Sequence, residues 1–302
     1  MQRVQGESSS DFVVYHWGGY DRFLVRTVLP RATPIPAWTD DDADAIAARV
    51  PENARAFLFH INLSVSTRLP RRRDGLVRAL TRRGITPLNA HFTDMTKRAL
   101  QSACERLDIP TTRAARHGEP SELLIVKTNH NCGGRQERTL RRGRRRLLGI
   151  ERPSLTITST RSYRVLERRN VAAAWWADTS LVVERYIANA RDRFYRAYVL
   201  GERVVLSEVI NPRVIKKMDP GLWRRNHVLD LREGAGATDE SATVPAELRA
   251  LVAKAIRGFG LDYGTVDVLE DAAARFHVID LNATPYWGKE SQDDLTAYLT
   301  IP

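Results

Sequence analysis

The chain has 302 residues, of which 43% are hydrophobic and 27% are charged, and its formal net charge is +11. This composition excludes a disordered or fibrous protein, and no apolar run approaches the roughly 18 to 20 residues that a membrane-spanning helix requires. The start, MQRVQGESSS, lacks the apolar stretch of a signal peptide and two cysteines are too few for a disulfide framework, so we expect a cytoplasmic globular protein with anionic partners.

A small α/β domain is predicted at about residues 1–90. Two short apolar runs, at 12–15 and 56–61, have the length of buried strands, and turn-forming glycines and prolines separate them. The segment 76–89 predicts a helix that ends at Gly84, followed by a strand at 85–88. This alternation of strand, helix and strand is typical of an α/β domain.

Helices and strands are mixed in the rest of the chain. A helix is expected to begin near Thr93 or Asp94, either of which can cap it, and to end before Pro110. An amphipathic helix follows Pro245 and closes at the glycines 258 and 260. Strands are predicted at 122–128, 181–187, 194–200, 203–210, 263–269 and 275–281. The predicted fold class is α+β.

Three oxygen-bearing side chains lie on the last two predicted strands. Because strand side chains alternate, Asp280 and Asn282 share one face, while Ile279 and Leu281 take the other. A turn near residues 270–274 would bring Asp267 beside them, and such oxygen ligands suit Mg²⁺. A hairpin that ends in an Asp- and Asn-rich turn explains the same residues without a metal. Two neighbouring carboxylates favour the metal, because without a cation they would oppose each other's ionisation.

The segment LLIVKTNHNCGG, at 123–134, is a second candidate site. It carries Lys127 on an apolar strand and closes a small polar loop with Gly133 and Gly134. Glycines let backbone N–H groups approach phosphate oxygens, and the lysine supplies a positive charge. An ordinary strand that ends in a glycine turn has the same pattern, and the spacing is not that of a P-loop because no Gly-Lys-Ser/Thr follows.

Further charged residues follow in the chain. Glu184 lies within the alternating run LVVERYI, at 181–187, either as an edge-strand residue or as a ligand group. Arg196 lies on the next strand, and Lys216 and Lys217 come after it. These cations either contact a triphosphate or an acyl phosphate, or they lie on the surface.

The basic segment RQERTLRRGRRR, at 135–146, has two interpretations. It is either an arginine-rich loop near a phosphate cover or substrate entrance, where it would dock an acidic peptide, or a solvated, mobile surface stretch. The same segment supports a rival function, nucleic-acid binding, although no stacking motif or recognition-helix pattern accompanies it.

Taken in order, these segments resemble the ATP-grasp superfamily, which contains glutathione synthetases, D-alanine ligases and ribosomal-protein glutamate ligases. The resemblance covers about residues 80–288. It implies an ATP-grasp fold with a small N-terminal α/β domain at 1–90, a central subdomain at 91–184 and a C-terminal subdomain with a metal site at 185–302. The two α+β subdomains would enclose the nucleotide.

The resemblance also implies roles for individual residues. It implies that ATP is bound by Lys97, Lys127, Gly133, Gly134, Glu184, Arg185, Tyr186 and Ile187. It implies Mg²⁺ ligation by Asp267, Asp280 and Asn282. Arg196 matches the family's arginine on the strand after the hinge. Arg196 and Lys216 are the predicted catalytic residues. Two features depart from the family: Asp280 stands where a glutamate is usual, and the glycine loop contains fewer glycines.

The implied function is an ADP-forming ligase that joins a carboxylate to an amine. ATP and Mg²⁺ would activate the acid as an acyl phosphate, and an amine would displace phosphate to give an amide or peptide-like bond. The expected partners are a small-molecule or peptide carboxylate and an amine acceptor, without a membrane. The alternatives are a nucleic-acid-binding protein and an ATP-grasp phosphotransferase, and the sequence identifies neither substrate.

Overall fold

A computed structural model describes residues 11–18, 20–189, 191–215, 224–231, 243–286 and 297–301. The strands in these ranges form three sheets, accompanied by helices, which confirms the predicted α+β class. No helix in the described ranges has the length and apolarity needed to cross a membrane. Neither cysteine forms a disulfide, as expected from their small number.

The first sheet is parallel and has the strand order β2-β1-β3-β4. It is built from β1 (Phe12–Trp17), β2 (Thr33–Pro36), β3 (Ala56–Ile61) and β4 (Thr86–Leu88), with the helices α1 (Leu24–Val28), α2 (Ala43–Ala47) and α3 (Arg73–Arg82). All six residues of β3 are buried, because a central parallel strand is covered on both faces. Strand β2 lies where turn-forming prolines were expected, and Pro34 and Pro36 are tolerated in it because β2 is an edge strand.

The second sheet is antiparallel and has the order β6-β5-β7. This part of the chain contains β5 (Leu123–Thr128), β6 (Arg164–Glu167) and β7 (Leu181–Arg185), with the helices α5 (Arg135–Thr139), α6 (Arg142–Leu148) and α7 (Ala173–Ala177). The loop predicted for the basic segment 135–146 is therefore wrong, since most of it lies in α5 and α6. Buried Leu140, Leu148 and Ile150 hold this segment in the core of the N-terminal sheet.

The third sheet is antiparallel and has the order β10-β9-β8-β11-β12. Its strands are β8 (Arg193–Leu200), β9 (Arg203–Ile210), β10 (Arg224–Leu229), β11 (Tyr263–Glu270) and β12 (Phe276–Asn282). Two helices, α4 (Lys97–Arg106) and α8 (Ala246–Phe259), share one apolar core with this sheet. Helix α4 thus packs on the sheet that lies beyond the predicted boundary at residue 184, and the boundaries themselves stay a prediction.

Gly258 has a different role from the one that the sequence suggests. Helix α8 continues through it to Phe259 and ends at Gly260, which has a positive φ of 63°. A Cβ atom at position 258 would lie 2.4 Å from Cδ1 of Leu107, just after α4. The prediction that the helix closes at Gly258 is therefore wrong, because this glycine instead permits the close approach of two helices.

Asn89 joins the first sheet to the third. Its Oδ1 accepts hydrogen bonds from the backbone N–H groups of Asp262 (2.9 Å) and Tyr263 (3.1 Å), and its Nδ2 donates to the Tyr263 carbonyl (2.8 Å). The residue is fully buried and has a positive φ of 55°, a conformation that asparagine adopts more readily than most residues. The side chain therefore satisfies three backbone groups of residues 262 and 263.

We expect Asn89→Ala to lower the free energy of unfolding by about 2 to 4 kcal/mol, because it leaves buried backbone groups unpaired and strains the left-handed position. Urea unfolding of both proteins measures this loss. Asn170→Ala is the matched control, since this exposed asparagine makes only a 3.5 Å contact with Glu167. Equal losses of unfolding free energy in the two variants would contradict the proposed role of Asn89 in joining the two sheets.

His60, on β3, provides a test of pH dependence. It is fully buried against Phe23 and Tyr263, with ring centroids 5.1 and 5.8 Å away, and neither ring nitrogen has a hydrogen-bond partner among the described residues. Burial, with a smaller contribution from His16, lowers the pKa of His60 to about 3. The imidazole therefore stays neutral in the folded protein at every pH above that value.

Stability is expected to fall as the pH drops from about 6.5 towards 3. In this window the unfolded chain takes up a proton at His60 that the folded protein excludes, which costs about 2 kcal/mol at a pH near 5. Above pH 6.5 the residue is neutral in both states and has no such effect. Denaturant unfolding at several pH values gives the free energy of unfolding as a function of pH. Between pH 6.5 and 3 this free energy should change less steeply with pH for His60→Leu than for the parent. His117→Leu, at an exposed position, should show the same pH dependence as the parent.

Candidate active site

A cavity with about 630 Å³ of empty space, part of which is open to solvent, lies between the second and third sheets. Strands β5 and β7 line one side, and β8, β11 and β12 line the other. Eight of the predicted site residues lie together in its wall: Lys97, Lys127, Glu184, Arg185, Tyr186, Ile187, Asp267 and Asp280. The residues that the sequence analysis singled out in separate segments therefore meet in one place.

Asp267 and Asp280 lie directly opposite each other on the paired strands β11 and β12. This confirms the predicted hairpin, and an irregularity follows it, because Val268 pairs with Val278 and leaves Ile279 as an extra residue. Such a bulge turns consecutive side chains towards the same side. The prediction that Ile279 points away from Asp280 is therefore wrong, and both line the cavity.

Each of these carboxylates has a cationic partner. The Arg196 guanidinium donates from Nε to Oδ1 of Asp267 (2.6 Å) and from Nη2 to Oδ2 (2.7 Å). The Nζ atom of Lys97 lies 3.5 Å from Oδ1 of Asp280, and this lysine side chain is only 3% exposed. Burial alone would lower the pKa of both cations, but the carboxylates raise it above the usual value, so both stay charged.

A third ion pair lies on the opposite side of the cavity. Lys127 Nζ contacts Oε2 of Glu184, and Gln101 Nε2 donates to Oε1 of the same carboxylate at 2.7 Å. Glu184 faces Ile125 across the β5–β7 pair, so Lys127, two residues along β5, reaches it diagonally. The lysine and glutamate side chains are 8% and 2% exposed, which places both charges out of water.

The segment after Glu184 forms part of the same wall. The N–H groups of Arg185 and Tyr186 donate to the carbonyls of Thr112 (2.8 Å) and Leu123 (2.9 Å), and the Tyr186 hydroxyl donates to Val214 at 3.0 Å. Two backbone donors of this segment are therefore engaged within the fold. The side chain of Arg185 is exposed.

Asn282 and the glycine pair lie outside the cavity wall. The Oδ1 atom of Asn282 accepts from Nδ2 of Asn131 (3.2 Å) and from the N–H of Thr284 (2.9 Å). A Cβ atom at Gly133 would lie 2.0 Å from the carbonyl oxygen of Thr158, so this turn needs a glycine for close packing as well as for its positive φ of 69°. Phosphate contacts at Gly133 and Gly134 stay a prediction, and Lys216 lies outside the described residues.

The cavity wall also contains residues that the sequence analysis did not select. They are Thr112, Ile125, Tyr163, Phe194, Val214, Ile215, Leu269 and Ile279. Ile125, Phe194 and Leu269 each lie two positions from a selected residue on the same strand, so strand alternation would have found them. Tyr163 has no such signal; its removal from water raises the pKa of its phenol to about 12, against the opposing charge of Lys97.

The donor set fits a magnesium ion that is shared with a phosphate ligand. Among the described residues no three His, Cys, Asp or Glu side chains cluster as a complete metal site. Mg²⁺ commonly binds one or two carboxylates and takes its remaining ligands from phosphate oxygens and water. The facing carboxylates of Asp267 and Asp280 meet that requirement, and Asn282, at the end of the strand that carries Asp280, stays a predicted ligand.

Comparisons with known proteins give matches in structure but not in sequence. No protein-family model matches the chain, and no curated protein has a significantly similar sequence. The structure of ATP-grasp ligase PsnB complexed with minimal precursor, Mg and ADP matches with a TM-score of 0.50 and 13% identity, over 96% of this chain and 96% of that chain. PsnB with a phosphomimetic variant of the minimal precursor, Mg and ADP matches with 0.50 and 12%, over 96% and 94%. D-alanyl-alanine synthetase A from Vibrio cholerae matches with 0.47 and 12%, over 96% and 93%.

Proposed function

We propose that this chain, which has the ATP-grasp fold, is an ATP- and Mg²⁺-dependent ligase that joins a carboxylate to an amine. The observation that carries the proposal is the cavity, where Lys97, Lys127 and three carboxylates from distant segments line one space between two sheets, and Arg196 pairs with one of those carboxylates. A fold hosts many functions, so the proposal depends on this site rather than on the fold alone. Binding of Mg and ADP by the similarly folded PsnB supports the same ligands here.

The residues of the cavity divide into an apolar and a charged part. Ile125, Phe194 and Leu269 offer apolar surface that suits a nucleotide base. Lys97 and Lys127 supply positive charge for the phosphates, and the facing carboxylates Asp267 and Asp280 would hold Mg²⁺. We retain Glu184, Arg185, Tyr186 and Ile187 as nucleotide contacts, and Gly133 and Gly134 as residues that would cover the phosphates.

The proposed reaction has two steps. An oxygen of the substrate carboxylate attacks the γ-phosphorus, ADP leaves, and an acyl phosphate forms. The amine then attacks the acyl carbon, phosphate leaves and an amide forms, with the proton of the amine passing to solvent or a base. Cations near the reacting oxygens stabilise the developing negative charge. Arg196, fixed by Asp267, supplies such a charge, and Lys216 is the second proposed catalytic cation.

A screen for ADP release tests this function. Mixtures of carboxylic acids, acidic peptides and amines are incubated with ATP and Mg²⁺, and products are identified by mass spectrometry. We expect ADP, phosphate and an amide in the same reaction. A phosphorylated product would instead support a phosphotransferase. Absence of turnover together with RNA or DNA binding that weakens steeply as salt rises would support the nucleic-acid-binding alternative.

A further inference from the structure

The basic helix α6 (Arg142–Leu148) is packed against its neighbours. Leu148 and Ile150 are buried in the core of the first sheet, and buried Glu137, in the preceding helix, accepts the N–H of Ser64 at 2.6 Å. The Arg145 guanidinium donates to the carbonyl of Leu140 at 2.8 Å. The charge run is therefore neither a loop nor a tail, since its backbone is anchored on both sides of the helix.

The exposed side of α6 has an ordered pattern of charge and apolar surface. With about 100° between successive residues, Gly143 and Leu147 share one line along the helix, because they are four positions apart. Arg142 and Arg146 lie on one side of that line and Arg144 lies on the other. All five residues are exposed, and Leu147 is 49% exposed. The face is thus a narrow strip, formed by Gly143 and Leu147, between Arg142 and Arg146 on one side and Arg144 on the other.

Gly143 leaves the helix surface without a side chain at this point of the strip, although the fold does not require a glycine there. No atom lies within 4 Å of a Cβ built at this position, and its φ is not positive. Glycine is unfavourable inside a helix, so an alanine here would stabilise α6 without a clash. A glycine that satisfies no internal constraint leaves room for the backbone of a partner to approach the helix.

We infer that this face docks an acidic peptide segment that carries apolar side chains. Guanidinium groups bind carboxylates in a fixed geometry, and the strip formed by Gly143 and Leu147 accepts an apolar residue between them. Residues 135–152 contain no aromatic side chain on which a nucleic-acid base would stack, and Leu147 offers nothing to a phosphate backbone. The acids in this range are Glu137, which is buried, and Glu151. A peptide therefore fits better than a nucleic acid.

The inference rests on the proposed function, because the docked peptide would be the carboxylate substrate. Helix α5 begins directly after the Gly133–Gly134 turn, and Asn131 of that turn contacts Asn282 at the end of the strand that carries Asp280. The chain segment that leads into α5 and α6 therefore contacts the strand that carries Asp280. Binding of a precursor by PsnB is in line with a peptide substrate.

Fluorescence anisotropy with a labelled peptide of Glu-Glu-Leu repeats tests the surface in the full chain. The triple variant R142Q/R144Q/R146Q should weaken binding by about tenfold, as expected for the loss of several exposed ion pairs. The matched control R31Q/R78Q/R82Q removes the same charge from exposed arginines elsewhere and should bind as the parent does. Gly143→Leu and Leu147→Ser should each weaken binding of this peptide, whereas a poly-glutamate peptide should be insensitive to Leu147→Ser.

Several outcomes would overturn this inference. Equal losses of peptide affinity in the two triple variants would show that binding depends on net charge alone. An RNA oligonucleotide that binds more tightly than the peptide, without an effect of Leu147→Ser, would assign the surface to nucleic acid. If the parent does not bind the peptide but still releases ADP in an Asp280-dependent reaction, the docking surface is refuted and the ligase function stands. If the parent binds the peptide but releases ADP in no mixture, the ligase function is refuted, and with it the role of the docked peptide as substrate; only a peptide-binding surface then stands.

Discussion

Replacement of Asp280 by alanine is expected to lower ATP-dependent turnover by about 10²- to 10³-fold, the range found when one preorganised group that stabilises a transition state is removed. Asp280 faces Asp267 across the hairpin and lies 3.5 Å from the buried Lys97 ammonium. Its loss removes a proposed Mg²⁺ ligand and also leaves Lys97 without this counter-charge. ADP release with the best acid and amine pair from the screen measures the effect.

Two further variants separate charge from shape at this position. Asp280→Asn keeps the size of the side chain and should lose nearly as much turnover, because an amide does not replace the negative charge. Glu202→Ala removes an exposed acid in the turn between β8 and β9 and should behave as the parent does. Thermal melting confirms that each variant is folded. Normal turnover by Asp280→Ala would refute the assignment of the metal site.

Separation of the buried pair Lys127–Glu184 is expected to have the largest effect on stability. Both side chains are almost fully buried, so Lys127→Met leaves a carboxylate, and Glu184→Gln leaves an ammonium, without its opposite charge. Each change should cost about 3 to 5 kcal/mol of unfolding free energy. The double variant should be less destabilised than the sum of the two, because no unpaired charge remains.

The exposed pair Arg113–Glu105 is the matched control for this experiment. Its side chains are 42% and 44% exposed, and water screens such pairs, so Arg113→Met and Glu105→Gln should each cost less than about 1 kcal/mol. Urea unfolding of the parent, the four single variants and the two double variants gives both double-mutant cycles. Equal coupling energies in the two cycles would contradict the importance of burial for the Lys127–Glu184 pair.

The charge balance of the cavity has a consequence for its ligand. Lys97, Lys127 and Arg196 each have a carboxylate partner, so these three pairs carry no net charge. A triphosphate would bring several negative charges into this space. A divalent cation bound with it offsets part of that charge, which is why the proposed ATP site and the proposed Mg²⁺ site require each other.

Local sequence patterns determined the elements that carry the site. Short apolar runs located β3, β8, β9, β11 and β12, because these strands are buried or half-buried along their length. The turn between β11 and β12 is short, so the sequence predicted Asp267 beside Asp280, and the structure places the two directly opposite each other. The basic segment could be identified by composition, although its helices could not.

The tertiary structure alone decided which charges meet. Lys97 and Asp280, Lys127 and Glu184, and Arg196 and Asp267 come from segments far apart in the chain, and a charged residue has no local pattern that identifies its partner. The bulge at Ile279 and the position of Tyr163 likewise depend on packing between sheets. Hydrophobic periodicity records whether a side chain is buried, whereas the geometry of the site depends on how buried surfaces from distant segments fit together.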